Sequence, residues 1–268
     1  MIKTVYISTL DGVKDLLFEQ ERNAANGRYR SSFFYRGVPD ASFDLSTSLQ
    51  RNCGKLSKQL ETHLLANFTK YMKIEEPTID ESIWKAMIIG QHYGLPTRLL
   101  DWTHSVLVAL HFADIEGNLN DLSTRDCAVW RIDAKELNSM LPDKYQKALE
   151  EKNTFIFSVD HLNSVVDDIA QYDEEMQGKS LVTVEPPSLD QRIVNQYSFF
   201  TVIPTGITDL ESYLNANTER TVKYVIDKRL RWDLRDILDQ LNMNERMIYP
   251  GKEGIAKWLA RHYYVKPQ

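Results

Sequence analysis

The stretch QHYGLPTRLLDWTHSVLVALHFA, residues 91–113, decides how this chain is read. It sets Gln91, His92, Tyr93, Arg98, Asp101, Trp102 and His104 around a Gly-Leu-Pro turn, between two apolar segments. Such a turn ends a helix, because proline lacks an amide donor and disfavours helical backbone in the residue before it. The helix it ends covers about 81–93, with Ile83, Met87 and Ile88 on one side. The run RLLDW at 98–102 has the length and composition of a strand, and SVLVALHFADIE at 105–116 reads as a buried helix. So many polar and aromatic groups at one turn have two explanations. They form a buried polar joint that fixes two elements, or they form one wall of a ligand pocket.

Working outward, KTVYIST (3–9) alternates like a strand, and Thr9 or Asp11 is placed to cap a helix through GVKDLLFEQERNAA (12–25), ended by Gly27. SSFFYRGVPD (31–40) is an aromatic strand broken by Gly37 and Pro39. SKQLETHLLANFTKYMKI (57–74) is an amphipathic helix, with Leu60, Leu64, Phe68 and Tyr71 expected on one face. CAVWRID (127–133) reads as a strand and AKELNSMLP (134–142) as a short helix. The acidic, uneven region 141–185 reads as peripheral helices and loops. SLVTVEPP (180–187), NQYSFFTVIP (195–204) and VKYVIDK (222–228) have strand composition. RWDLRDILDQLNM (231–243) and GIAKWLARHYY (254–264) return to helix. The pattern predicts one α+β domain over 1–268, with central strands flanked by helices, an N-terminal cap over about 1–30 and a peripheral helical insert over about 135–180.

The bulk composition is that of an ordinary folded chain: 268 residues, 43% hydrophobic and 26% charged. A net charge of -6 argues against a dedicated nucleic-acid binder, which carries a basic excess. Cys53 and Cys127 are too few and too far apart for a disulfide framework or a paired-cysteine metal site, and are expected as buried thiols. His104 and His111, seven residues apart on one helix, are too distant to share a metal, so no metal is expected. No basic head with an apolar run opens the chain, and no window is apolar enough for a membrane helix. The expectation is a cytoplasmic protein with no membrane partner.

Three segments carry candidate chemistry. In Tyr35-Arg36-Gly37, an arginine beside a glycine at a strand end can offer a planar guanidinium to a phosphate or carboxylate. Its structural alternative is an ion pair with Asp40 or Asp101. Around the Gly-Leu-Pro turn, Gln91, His92, Tyr93, Arg98, Asp101, Trp102 and Thr103 are candidate ligand contacts, with His92 a candidate acid/base and Arg98–Asp101 the simplest salt bridge. In DQRIVNQYSFFTVIP (190–204), strand alternation would line up Arg192, Gln196 and Ser198 in a polar row. Glu245 is a candidate acid or a helix cap. No glycine-rich phosphate loop, nucleophile elbow or kinase signature is present.

At FFYRG, QHYGLPTRLLDWTHSVLVALHFA, RIVNQYSFF and NERMIYPGKEGIAKWL, over about residues 33–259, the sequence resembles the FRG domain family, named for a Phe/Tyr-Arg-Gly motif. That resemblance implies a bacterial setting and a role in anti-phage defence. The order of elements is more distantly similar to the ADP-ribosyltransferase fold, with its split sheet. That similarity implies an NAD-using enzyme in which Arg36 holds the dinucleotide, the segment 101–103 forms the middle strand, and His92 and Gln196 position the nicotinamide ribose. Gln196 stands where that fold carries a glutamate, and an amide cannot offer the negative charge that opposes a ribosyl cation. Either another acid substitutes, Glu245 being the first candidate, or the cleft is a non-catalytic sensor for a nucleotide or a phage product.

Overall fold

The computed structural model describes residues 1–24, 26–114, 119 and 122–265. Along the chain, β1 (Lys3–Ile7) leads into α1 (Leu10–Leu17), and β2 (Phe33–Val38) is followed by α2 (Ser48–Cys53), α3 (Ser57–Met72) and α4 (Ile83–His92). β3 (Leu99–Thr103) runs into α5 (Val106–Asp114), and β4 (Cys127–Asp133) into α6 (Ala134–Asn138) and α7 (Asp143–Glu151). Next come β5 (Phe157–Ser158), α8 (Val159–Val165), α9 (Ile169–Met176) and β6 (Val182–Glu185). The order is completed by α10 (Gln191–Gln196), β7 (Ser198–Val202), α11 (Leu210–Asn217), β8 (Val222–Ile226), α12 (Arg231–Gln240), α13 (Glu245–Ile248) and α14 (Lys252–His262). The architecture is α+β, with an eight-stranded sheet in the order β1-β8-β4-β2-β3-β7-β6-β5. Among the described residues no helix is long and apolar enough to cross a membrane.

Most of the sheet is antiparallel, and its ladders are uneven. β2 pairs with β4 over six residues and β3 with β7 over five, yet β2 and β3 meet in register only at Tyr35 and Thr103. The sheet therefore parts along a seam at its centre. One face is continuous across that seam: Phe34, Leu100, Trp102, Trp130 and Phe199 share a core with Leu137 of α6 and Leu210 and Leu214 of α11. The other face carries two cores. Phe33, Tyr35, Val129 and Val222 pack under α1, α5 and α12, while Leu99, Phe200, Val202 and Val184 pack under α4, α8 and α9.

Gly37 explains why α5 sits so close to the seam. A Cβ at that position would lie 1.9 Å from the Ala109 carbonyl oxygen and 2.5 Å from the Ala113 amide nitrogen. The helix rests directly on the strand's backbone, which only glycine allows. Behind α5, away from the seam, lies a buried ionic network. Arg231, fully buried, donates to Asp114 at 3.2 Å and to the Pro39 and Ala113 carbonyls, both at 3.1 Å. Arg235 Nη1 lies 3.1 Å from His111 Nδ1. Because a guanidinium only donates, that ring nitrogen accepts and the imidazole is neutral. Burial, with Arg235 beside it, pushes His111 down to about 3, and burial pushes Asp114 up to about 7 against the pull of Arg235 and Arg231.

Several expectations change. The first helix stops at Leu17 rather than running to residue 25, because Glu19 leaves the helix to accept from Arg131 at 2.6 Å and Gln20 accepts from the Ser31 amide at 3.1 Å. Gly27, with φ +65, serves a turn behind the Arg22–Tyr29 bridge instead of a helix end. Ala25, and residues 115–116 of the expected helix over 105–116, lie outside the described residues. On α3 the buried face is set by Glu61 and Leu65, while Leu60 and Tyr71 are exposed. A buried arginine partner turned Glu61 inward and rotated the helix by about one position. The segment 135–180 is no mere periphery, since Tyr145, Leu149, Leu162, Tyr172 and Met176 join Trp84 and Met87 in one core. Cys127 is fully buried, its thiol pushed up to about 12 by burial, but Cys53 is only half-buried.

The largest difference falls on residues 190–204, where a polar strand was expected. Asp190 accepts from the Ile193 amide at 2.9 Å and starts α10, so the strand begins only at Ser198. Tyr197 closes that helix in the left-handed region, at φ 48 and ψ 49. Capping chemistry wins here over β-propensity.

Candidate functional site

A cleft of about 280 Å³ opens at the seam, on the face where the two cores meet. Its floor is the backbone of Tyr35, Gly37 and Pro39 with Asp101, Trp102 and Thr103 from β3. Phe112 of α5 forms one wall, while Arg192 and Gln196 of α10 and Ser198 of β7 form the other. The volume lies just below the usual range for ligand sites, about 300–1,000 Å³. The three distant segments thus meet around one hollow. α10 is tied there by Thr103 Oγ1, which donates to the Gln196 carbonyl at 2.7 Å.

Arg36 is half-buried and reaches across the parted strands. Its Nη1 donates to the Asp101 main-chain carbonyl at 2.9 Å and lies 3.6 Å from the Asp101 carboxylate. Burial lowers its guanidinium from the ordinary value, with Asp101 opposing the shift. Its Nε is buried with no hydrogen-bond partner among the described residues, and the same is true of Arg192 Nε across the cleft. The Arg192 guanidinium otherwise lies 5.2 Å from the Tyr249 ring centroid. Two buried, unpartnered guanidinium donors on one small cleft are costly, at about 1–3 kcal/mol for each neutral donor and more for a charged group. Both side chains line the cleft, and an anion there would meet two guanidinium groups. Asp101, with 56% of its side chain exposed, is the carboxylate among the cleft's described residues.

The other expected site residues divide. Gln91 stands beside the cleft and donates through Nε2 to Asp101 Oδ2 at 3.0 Å. His92 is turned to α10, where its Nε2 lies 2.5 Å from Asp190, the residue that caps that helix. It holds α10, which forms a wall of the cleft, and does not itself line the cleft. Tyr93 is 69% exposed. The Trp102 indole points into the core and donates to Thr201 Oγ1 at 3.0 Å, and the Tyr35 phenol is buried near Glu19, so both contribute backbone to the floor. His104 packs edge-on against Phe34 and Phe199, at 4.9 and 5.2 Å between ring centroids.

Two residues leave the site. The expected Arg98–Asp101 pair does not form, because successive strand residues point to opposite directions and Arg98 enters the interior. There it donates to Glu61 at 2.8 Å and to Asp173 at 2.6 Å, and these two carboxylates hold its charge against burial. It opens onto a separate, larger hollow of about 710 Å³ beside α3 and α9. Glu245 is buried against Arg261, which donates to it at 2.5 and 2.8 Å. Burial would raise that carboxyl, but the arginine brings it below its ordinary value. It is an anchor for α14, away from the cleft. The sequence reading missed Phe112 and Pro39. Phe112 carried a signal, since it lies in the same motif block one residue after the buried His111.

The model of the FRG domain family matches residues 31–121, a span that contains β2, β3, α5 and the Gln91–Asp101 contact. No curated protein and no solved structure matches the chain.

Proposed function

Taking the FRG domain at residues 31–121 as premise, we propose that this chain binds an NAD-type dinucleotide in the seam cleft and cleaves it at the nicotinamide ribose, passing ADP-ribose to a macromolecule or to water. The observation that carries the reading is that two arginines, Arg36 and Arg192, line one cleft with Asp101 as the carboxylate among its described residues. That charge set fits a ligand with a negative pyrophosphate and a cationic ring. Arg36 and Arg192 would hold the phosphates, Gln196 and Ser198 would offer hydrogen bonds to ribose, and Phe112 would give an apolar wall. The bound dinucleotide supplies an activated glycosidic bond. Defence against phage is the biological setting in which we place this reaction.

A sensor that binds without turnover is the second reading, and Gln196, an amide where a carboxylate would oppose a ribosyl cation, favours it. One experiment separates the two. Purified protein is incubated with NAD, nicotinamide release is followed by chromatography, and thermal stabilisation is measured in parallel. The enzyme reading expects release that Arg192→Ala abolishes. Stabilisation by NAD with no nicotinamide released would leave only the sensor. Protection of bacteria from phage that is lost with Arg192→Ala would tie the cleft to defence.

A further inference from the structure

Thr97, Gln91 and Asp101 form a hydrogen-bond chain whose direction is fixed from its carboxylate end. The Leu99 amide donates to Thr97 Oγ1 at 3.1 Å, and Thr97 Oγ1 gives its one proton to Gln91 Oε1 at 2.5 Å. The Asp101 carboxylate only accepts, so Gln91 must turn its NH₂ group to it, where Nε2 donates to Oδ2 at 3.0 Å, and Oε1 is left to accept from Thr97. Thr97 is 1% exposed and its own amide is held by Ser48 Oγ at 3.0 Å, so the base of the chain is rigid. At its tip, Oδ2 of Asp101 is engaged, while Oδ1 has no hydrogen-bond partner among the described residues. A packing role would need neither a fixed polarity nor a half-free carboxylate 56% exposed in a cleft.

We infer that Asp101 is the catalytic carboxylate of this cleft, and that Gln91 and Thr97 are the residues that position it. The inference rests on the NAD-cleaving reading above. It supplies the negative group that Gln196 cannot offer and that Glu245, locked by Arg261, does not bring to the cleft. In the step, the bond between the ribose anomeric carbon and the ring nitrogen breaks. Both electrons go to nitrogen, and neutral nicotinamide leaves. The Asp101 carboxylate opposes the positive charge that develops on the ribosyl carbon. A water or acceptor hydroxyl then bonds to that carbon, and its proton passes to Asp101 and on to solvent.

The test uses the full chain with NAD and three variants. Asp101→Asn should lower kcat for nicotinamide release by about 10²–10³-fold, the scale of losing one charge-stabilising group, with KM little changed. In Asp101→Ala, added formate should restore part of the turnover, which no structural role predicts. Gln91→Leu should lower kcat by about tenfold when assayed well below its melting temperature, which falls because the buried Thr97 hydroxyl loses its acceptor, while the carboxylate stays but loses its aim. Wild-type kcat in Asp101→Asn overturns the inference while leaving the NAD-cleaving reading intact. A loss in Asp101→Ala that formate does not rescue and that lowers the melting temperature also overturns it. No nicotinamide release from the wild type overturns the reading and the inference together.

Discussion

Replacing Gly37 by alanine tests the close packing that the whole site depends on. The new methyl would sit 1.9 Å from the Ala109 carbonyl oxygen and 2.5 Å from the Ala113 amide nitrogen. Ordinary contacts are about 3.5 Å, so α5 must back off by more than about 1 Å. It cannot do so freely, because its far side is bolted to α12 through Asp114–Arg231 and His111–Arg235. Overpacking costs about 1–3 kcal/mol where side chains can yield. Here the obstacle is backbone, so the upper end of about 3 kcal/mol applies. For a chain of this size that corresponds to a fall in Tm of roughly 6–12 °C. Thermal unfolding followed by far-UV circular dichroism reads it directly. Trimming Ala109 to glycine should not restore stability, since the clash is with main-chain atoms. A Tm within 2 °C of wild type, or rescue by Ala109→Gly, would refute the reasoning.

The buried network makes a prediction with a worked sign. Between about pH 4 and 6.5 the unfolded chain binds a proton at His111 that the fold excludes, while the fold keeps a proton at Asp114 that the unfolded chain gives up, so their slopes oppose. His111→Gln leaves the Asp114 slope, and urea unfolding should then show stability rising as pH falls from about 7 to 4. Asp114→Asn leaves the His111 slope, and stability should fall as pH drops below about 6.5. Each slope is at most about 1.4 kcal/mol per pH unit, and slopes of the same sign in both variants would contradict the assignment. Arg98→Ala strands Glu61 and Asp173 in the interior and should cost about 3–5 kcal/mol in urea unfolding. Arg98→Lys should recover only part of that, because an ammonium cannot fork across two carboxylates; full recovery would mean that charge alone, not the fork, holds the site.

The sequence was most legible where periodicity and motif agreed. β2, β3, β4, β6 and β8 fall in the segments expected from their aromatic and β-branched runs, and Thr9 caps α1 as its position implied. Arg36 and Gln196 meet at one cleft as their motifs implied, but His92, expected with them, is turned to Asp190 instead. What failed did so for long-range reasons. Arg98 and Asp101 are neighbours in sequence, and nothing local tells that Glu61 and Asp173 await the former inside the fold. At 190–196 the strand reading failed because a six-residue helix lies below the length at which periodicity speaks. Glu245 looked available only because its partner Arg261 is 16 residues away.

The seam gives Arg36 two tasks, and that decides which arginine is the better probe. Beyond the Tyr35–Thr103 pair, β3 has no strand on its β2 side among the described residues, and the Asp101 carbonyl there would lose its ladder partner. Arg36 Nη1 takes that place at 2.9 Å, so a side chain closes the gap that the parted strands leave. Removing it strips a backbone acceptor as well as a ligand donor, and Arg36→Ala should lower stability by about 1–3 kcal/mol whatever the cleft binds. Arg192 contacts the Tyr249 ring, and its buried Nε has no partner among the described residues, so Arg192→Ala removes a donor to the ligand without unmaking the sheet. If anion binding is what the cleft is for, Arg192→Ala should weaken NAD binding while leaving Tm nearly unchanged. An equal loss of stability in both variants would instead mean that both guanidiniums serve the fold.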